Sequence, residues 1–145
     1  MKKLLIPFTI SIAWLVITTT LLILPSNNLE ESGRFLRWLQ SLGLDLDLKE
    51  LEPDKWIHVL LFLIMVSLWC WGWAELIISY EKKIALFIAT TLVWLSYGIA
   101  MEFVQDALRN GRTYDVKDMI ADGIGCVLGL SISLILFRKK LRQEA

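Results

Sequence analysis

The stretch DVKDMIADGIGCVLGLSIS, residues 115–133, decides the fold class. It is apolar enough to sit in a bilayer, yet it carries Asp115, Asp118 and Asp122. At about 100° per residue these three carboxylates fall within about 60° of one another on a helix surface. Ala121, Gly125, Gly129 and Ser133 recur at every fourth position on much the same face, a small-xxx-small seam where a second helix can approach closely. A charge within hydrocarbon costs a few kcal/mol or more, so carboxylates on the seam face belong inside a bundle rather than against lipid. The seam predicts a helical partner from the same chain; the alternative is a homodimer through the Gly125/Gly129 face.

Three more apolar runs lie upstream. The first span covers Leu4 to Leu24, the second Trp56 to Ser79 and the third Ile84 to Val104, with the fourth at Met119 to Phe137. Each reaches the roughly 20 residues a helix needs to cross about 30 Å of hydrocarbon. Helices satisfy their own backbone, as lipid demands. The chain is therefore read as an all-α polytopic membrane protein with four transmembrane helices, a single domain over residues 1–145. Its 145 residues are 56% hydrophobic with zero formal net charge. Balanced charge leaves no footprint for nucleic acid, and neither a phosphate-cradling glycine loop nor paired Cys-x-x-Cys spacing is present. Cys70 and Cys126 fall at depths differing by roughly 10 Å, beyond disulfide reach.

Basic residues orient the spans. Lys2 and Lys3, Lys82 and Lys83, and Arg138, Lys139, Lys140 and Arg142 abut span ends on one side, which the positive-inside rule makes cytoplasmic. This predicts an N-in, C-in topology. The first run resembles a secretory signal, but its length and the absence of a small-x-small site after Leu24 favour an uncleaved anchor. Trp69, Trp71 and Trp73 are expected as an aromatic belt at the inner interface. In the outer loop from Pro25 to Pro53, Phe35, Leu36, Trp38, Leu39 and Leu42 suggest a short interfacial helix; a helix packed across the bundle mouth has the same pattern.

With this topology almost every ionisable residue that looks costly in hydrocarbon gathers at the outer end. Asp54, Lys55 and His58 open the second span, with His58 one turn below Asp54 on the same face. Glu102 and Gln105 close the third, where a carboxylate meets the negative end of the helix dipole and needs a donor; Arg112, Lys55 and His58 are the candidates. Arg112 carries a planar fork suited to a carboxylate or phosphate. Asp115 and Asp118 fit a capping box at the head of the fourth span, but Asp122 lies too deep to cap. The candidate ligand-binding set is Asp54, Lys55, His58, Glu102, Gln105, Arg112, Asp115, Asp118 and Asp122. His58, Glu102 and Asp118 are the candidates for acid–base chemistry.

The ordered strings Asp54-Lys55-x-x-His58, Glu102-x-x-Gln105 and Arg112-x-x-Asp115-x-x-Asp118, ending in Gly125-x-x-x-Gly129, resemble the VanZ-like family of small bacterial membrane proteins. The resemblance covers residues 54–129. The family usually has Asn four residues after the last motif aspartate, where this chain has Asp122. Membership implies a multi-pass protein of the bacterial cytoplasmic membrane, within a family whose namesake is associated with low-level resistance to the glycopeptide teicoplanin. It implies no reaction.

Two functions follow from the residues. One is an envelope protein whose outer pocket binds an anionic lipid head group or peptidoglycan precursor, with Arg112 and Lys55 holding the anion. The other is an intramembrane enzyme acting on a lipid-linked substrate by acid–base or metal-assisted chemistry. No serine or cysteine nucleophile accompanies His58 and no established metal-ligand spacing is present, so no metal ligand and no cofactor is assigned. Ion translocation is disfavoured, because no chain of charged groups crosses the inner half.

Overall fold

In a computed structural model that describes residues 2–23, 53–108 and 114–142, the apolar runs form four long helices. They are α1 (Lys2–Ile23), α2 (Pro53–Ala74), α3 (Tyr80–Leu108) and α4 (Val116–Leu136), followed by a short α5 (Arg138–Leu141). No strand occurs among the described residues. Each long helix has the length and apolarity to cross a membrane, and the chain is a multi-pass membrane protein. Leu5, Ile12, Val16, Leu92, Val93, Val127 and Ile135 point outward and are exposed. An apolar surface that continuous suits hydrocarbon, not water. The interfacial helix expected between Pro25 and Pro53 lies outside the described residues.

Helix ends depart from the hydropathy boundaries. The second run was expected to continue to Ser79, but α2 stops at Ala74. There the amides of Glu75 and Leu76 reach back three residues to the carbonyls of Gly72 and Trp73, at 3.3 and 3.2 Å, the tightened turn that closes many helices. Leu76, Ile77 and Ile78 are apolar residues in a connection, which hydropathy alone cannot distinguish from helix. Conversely α3 runs to Leu108, four residues past the apolar limit, because polar Gln105 still has a buried partner to bond.

The helices alternate in direction. Near one end, the Gln105 side chain of α3 donates to the Leu22 carbonyl of α1 at 2.8 Å. At the other, Phe8 of α1 meets the rings of Trp69 and Trp73 near the end of α2, with centroids 5.7 and 4.8 Å apart. The starts of α2 and α4 and the ends of α1 and α3 therefore share one end of the bundle. Phe62, Met65, Val66, Cys70 and Phe87 fill its middle and are fully buried. Both cysteines are free.

The α4 seam is closed within the chain. A Cβ built on Gly129 would come 2.7 Å from the Leu63 carbonyl of α2, and one on Gly125 would strike the Val59 carbonyl. Backbones this close explain why α2 packs most extensively on α4. Gly125 and Gly129, the face considered for a homodimer, pack against α2 of the same chain.

The far end is clasped separately. Buried Lys83 donates to the Lys140 carbonyl of α5 at 2.6 Å, and the Lys140 ammonium pairs with Glu75. A cation on the last carbonyls of a chain of helices meets the negative end of the dipole. Lys83, read from sequence as a flanking charge, is thus an internal one. The expected tryptophan belt is likewise partly turned inward. Trp69 stacks at 5.7 Å from Trp94, and the Trp73 indole donates to the Thr90 hydroxyl at 2.8 Å. Residues 69 and 73 share the helix face that looks toward α1 and α3, whereas Trp71 stays peripheral and bonds Glu75.

Candidate functional site

At the end where α2 and α4 begin and α3 finishes, the polar strings meet. Lys55 stands in the first turn of α2 and reaches across to α4. Its ammonium lies 2.7 Å from Asp115 Oδ2, contacts Asp118 Oδ1, and is 3.5 Å from Asp54 of its own helix. One turn deeper, His58 Nδ1 lies 2.8 Å from Asp122 Oδ1. Both side chains are almost entirely buried, at 2% and 1% exposure. An ionised Asp122 can only accept, and in that state Nδ1 is the donor and Nε2 the ring nitrogen without the hydrogen. Nε2 is 3.8 Å from Asp118 Oδ2, too far for a hydrogen bond.

Two backbone features make room for this pair. The α2–α4 approach at Gly125 brings the helices close enough for His58 to reach Asp122. Gly98 of α3 faces the same carboxylate, and a Cβ there would come 2.6 Å from Asp122 Oδ2. Asp122 is therefore held between a histidine on one helix and a bare backbone on another, with Oδ2 lacking a partner among the described residues.

Glu102 is bonded differently from expectation. Its Oε2 accepts the backbone amide of Asp115 at 3.1 Å. Asp115 is the N-cap of α4, its own Oδ1 accepting the Lys117 amide at 2.8 Å. In a capping box the third helical residue would take the cap's amide. Here Glu102 of α3 takes it instead, which leaves Asp118 free to turn toward Lys55. The positive end of the α4 dipole offsets the negative end of α3, so the site Glu102 occupies is less hostile than its own helix alone suggests. Glu102 Oε1 is buried and without a partner among the described residues. Of the donors expected for Glu102, Lys55 and His58 make no hydrogen bond to it, and Arg112 lies outside the described residues.

The expected set therefore divides. Asp54, Lys55, His58, Asp115, Asp118 and Asp122 form one cluster, with Glu102 bonded at its edge through the Asp115 amide. Gln105 does not join them; it faces α1 and holds the Leu22 carbonyl. Asp118 and Asp122 face α2 and α3, as the seam argument required. The cluster is acidic: its carboxylates outnumber Lys55 and His58 even when Lys117 at its edge is included. At that edge, the Lys55 ammonium and then the Lys117 amide hold the Asp115 carboxyl below the usual range. One grouping escaped the sequence reading. A donor atom from each of Asp54, His58 and Asp118 lies within 4.8 Å of the others. The i, i+4 spacing of Asp54 and His58 was visible, but the third donor comes from another helix 60 residues later.

No family model, curated protein or solved structure matches this chain. The reading of function rests on the residues themselves.

Proposed function

We propose that this chain is a VanZ-like protein of the bacterial cytoplasmic membrane, N-in and C-in, whose outer polar cluster binds a lipid head group or a lipid-linked envelope precursor. The observation that carries this is the convergence of Lys55, His58, Asp118 and Asp122 from two helices, with Glu102 of a third at the edge, at one end of an otherwise apolar bundle. Buried ionisable groups in a membrane protein are costly, and these occupy head-group depth. Because Lys55 is already gripped by two carboxylates, the ligand is one with donors of its own or one that arrives with a cation. Arg112, three residues before Asp115 in the chain, is the remaining fork for a phosphate. Native mass spectrometry of the protein in nanodiscs of mixed anionic and zwitterionic lipid tests the proposal. A retained head group or precursor should be lost in Lys55→Ala and weakened in Arg112→Ala; equal retention in wild type and both variants overturns it.

One observation favours a second reading. A buried carboxylate holding Nδ1 of a histidine, with Nε2 on the side of Asp118, is the arrangement of a general base. On that reading His58 draws a proton from water or from a substrate hydroxyl. Turnover of a head-group-labelled lipid by the purified protein, lost in His58→Gln, would put the enzyme first.

A further inference from the structure

We infer that Asp54, His58 and Asp118 form a binding site for one first-row divalent cation, with Asp122 as the residue that orients the histidine. The donor atoms of the three lie within 4.8 Å of one another. Ligands on opposite sides of an ion with bonds of about 2.1 Å are about 4.2 Å apart, so one ion can bridge this span with sub-ångström adjustments.

Two features besides the clustering point to a ligand. His58 Nε2 belongs to a side chain 2% exposed and stands 3.8 Å from Asp118 Oδ2, beyond hydrogen-bond reach of that oxygen. A buried ring nitrogen facing a carboxylate at that separation leaves a gap which an ion would close. The second is the bond on the other side of the ring. His58 Nδ1 is held by Asp122 at 2.8 Å, and metal-bound histidines almost always donate their second nitrogen to such a carboxylate. With Asp122 ionised, that bond selects the tautomer that offers the Nε2 lone pair.

Asp118 is divided in a way that suits the site. Oδ1 contacts the Lys55 ammonium and Oδ2 faces His58. Lys55 holds one oxygen while the other is available to the ion. Imidazole with two carboxylates suits first-row ions such as Mn2+ better than Ca2+, whose ligands are all oxygen. Three protein ligands leave coordination positions open. The ion stands independently of the ligand proposed above, but one consequence rests on that reading: a phosphate-bearing head group would complete the ion's coordination, which explains how an acidic cluster holds an anion.

Mn2+ titration of the chelator-stripped full chain in detergent, read by loss of the free-ion electron paramagnetic resonance signal, tests the site. Wild type should bind one equivalent. His58→Gln and Asp118→Asn should abolish binding over the range titrated, and Asp122→Asn should weaken it about 10- to 100-fold. Asp54→Asn, on a partly exposed side chain, should also weaken binding and serves if the buried variants fail to fold. Absence of stoichiometric binding in wild type, or equal binding in a folded Asp54→Asn and Asp122→Asn, overturns the inference. Head-group retention measured with and without Mn2+ separates the two proposals. Mn2+ binding without head-group retention removes the ligand and keeps the ion; retention by a protein that binds no Mn2+ does the reverse.

Discussion

Two glycines two residues apart on α4 should respond oppositely to the same substitution. In a helix Ala is favoured over Gly by up to about 1 kcal/mol, so Gly→Ala stabilises wherever the methyl has space. At Gly123 it has space: the added Cβ meets only the end of Leu95, at 3.5 Å. At Gly125 it strikes the Val59 carbonyl and comes within 3.0 Å of the Phe62 Cβ, and backbone cannot step aside as a side chain can. Relief requires α2 and α4 to part along the seam that also includes Gly129. Overpacking of this kind costs about 1–3 kcal/mol. Set against the propensity gain, Gly125→Ala should lose up to about 2 kcal/mol, a factor of up to about 30 in the folded-to-unfolded ratio. Gly123→Ala should gain up to about 1 kcal/mol. Reversible unfolding in mixed micelles, followed by far-ultraviolet circular dichroism, measures both. Equal stability of the two variants would refute the close approach of α2 and α4, and with it the geometry that lets His58 meet Asp122.

Four other outcomes are expected. His58→Leu leaves the Asp122 carboxylate buried without its partner and should cost about 3–5 kcal/mol; adding Asp122→Asn should recover much of that, measured by the same unfolding assay. Glu102→Gln keeps an acceptor for the Asp115 amide and should be nearly neutral, whereas Glu102→Ala orphans that amide and should cost about 1–3 kcal/mol. Because the Asp115 carboxyl is held below its ordinary value of 3.8, its ion pair with Lys55 contributes stability at higher pH and loses it as pH falls through the lowered value. Lys55→Met should flatten the acid limb of a stability-versus-pH curve below about pH 4, and an unchanged limb would discount the pair. Finally, single cysteines at 117 and 139 in a cysteine-free background should label asymmetrically with an impermeant maleimide on intact cells, the first reacting and the second not.

How much of this was legible depended on whether the deciding contact was local. The helical repeat of Gly125, Gly129 and Ser133 alongside Asp122 was sufficient to turn the α4 carboxylates inward, because face and depth follow from spacing within one helix. The depth of His58 below Asp54 was readable for the same reason. What spacing cannot supply is which groups meet across helices. Glu102 appeared to need a cation, yet a backbone amide serves it, and backbone donors leave no trace in residue identity. Gln105 shares a face with Glu102 by the i, i+3 rule, but the small angular difference between them directs one to α4 and the other to α1. Lys83 looked like one of a pair of flanking charges; only the position of α5 beneath α3 shows that it is enclosed. The C-terminal end of α2 falls short of the apolar run because Leu76, Ile77 and Ile78 extend that run beyond the point where the backbone turns.

The bond from Glu102 to the Asp115 amide has a structural corollary. It ties the tip of α3 to the head of α4 through side-chain chemistry. The α4 acids around His58 therefore depend on a carboxylate of a third helix, one that steadies them by anchoring the first amide of the helix that carries them.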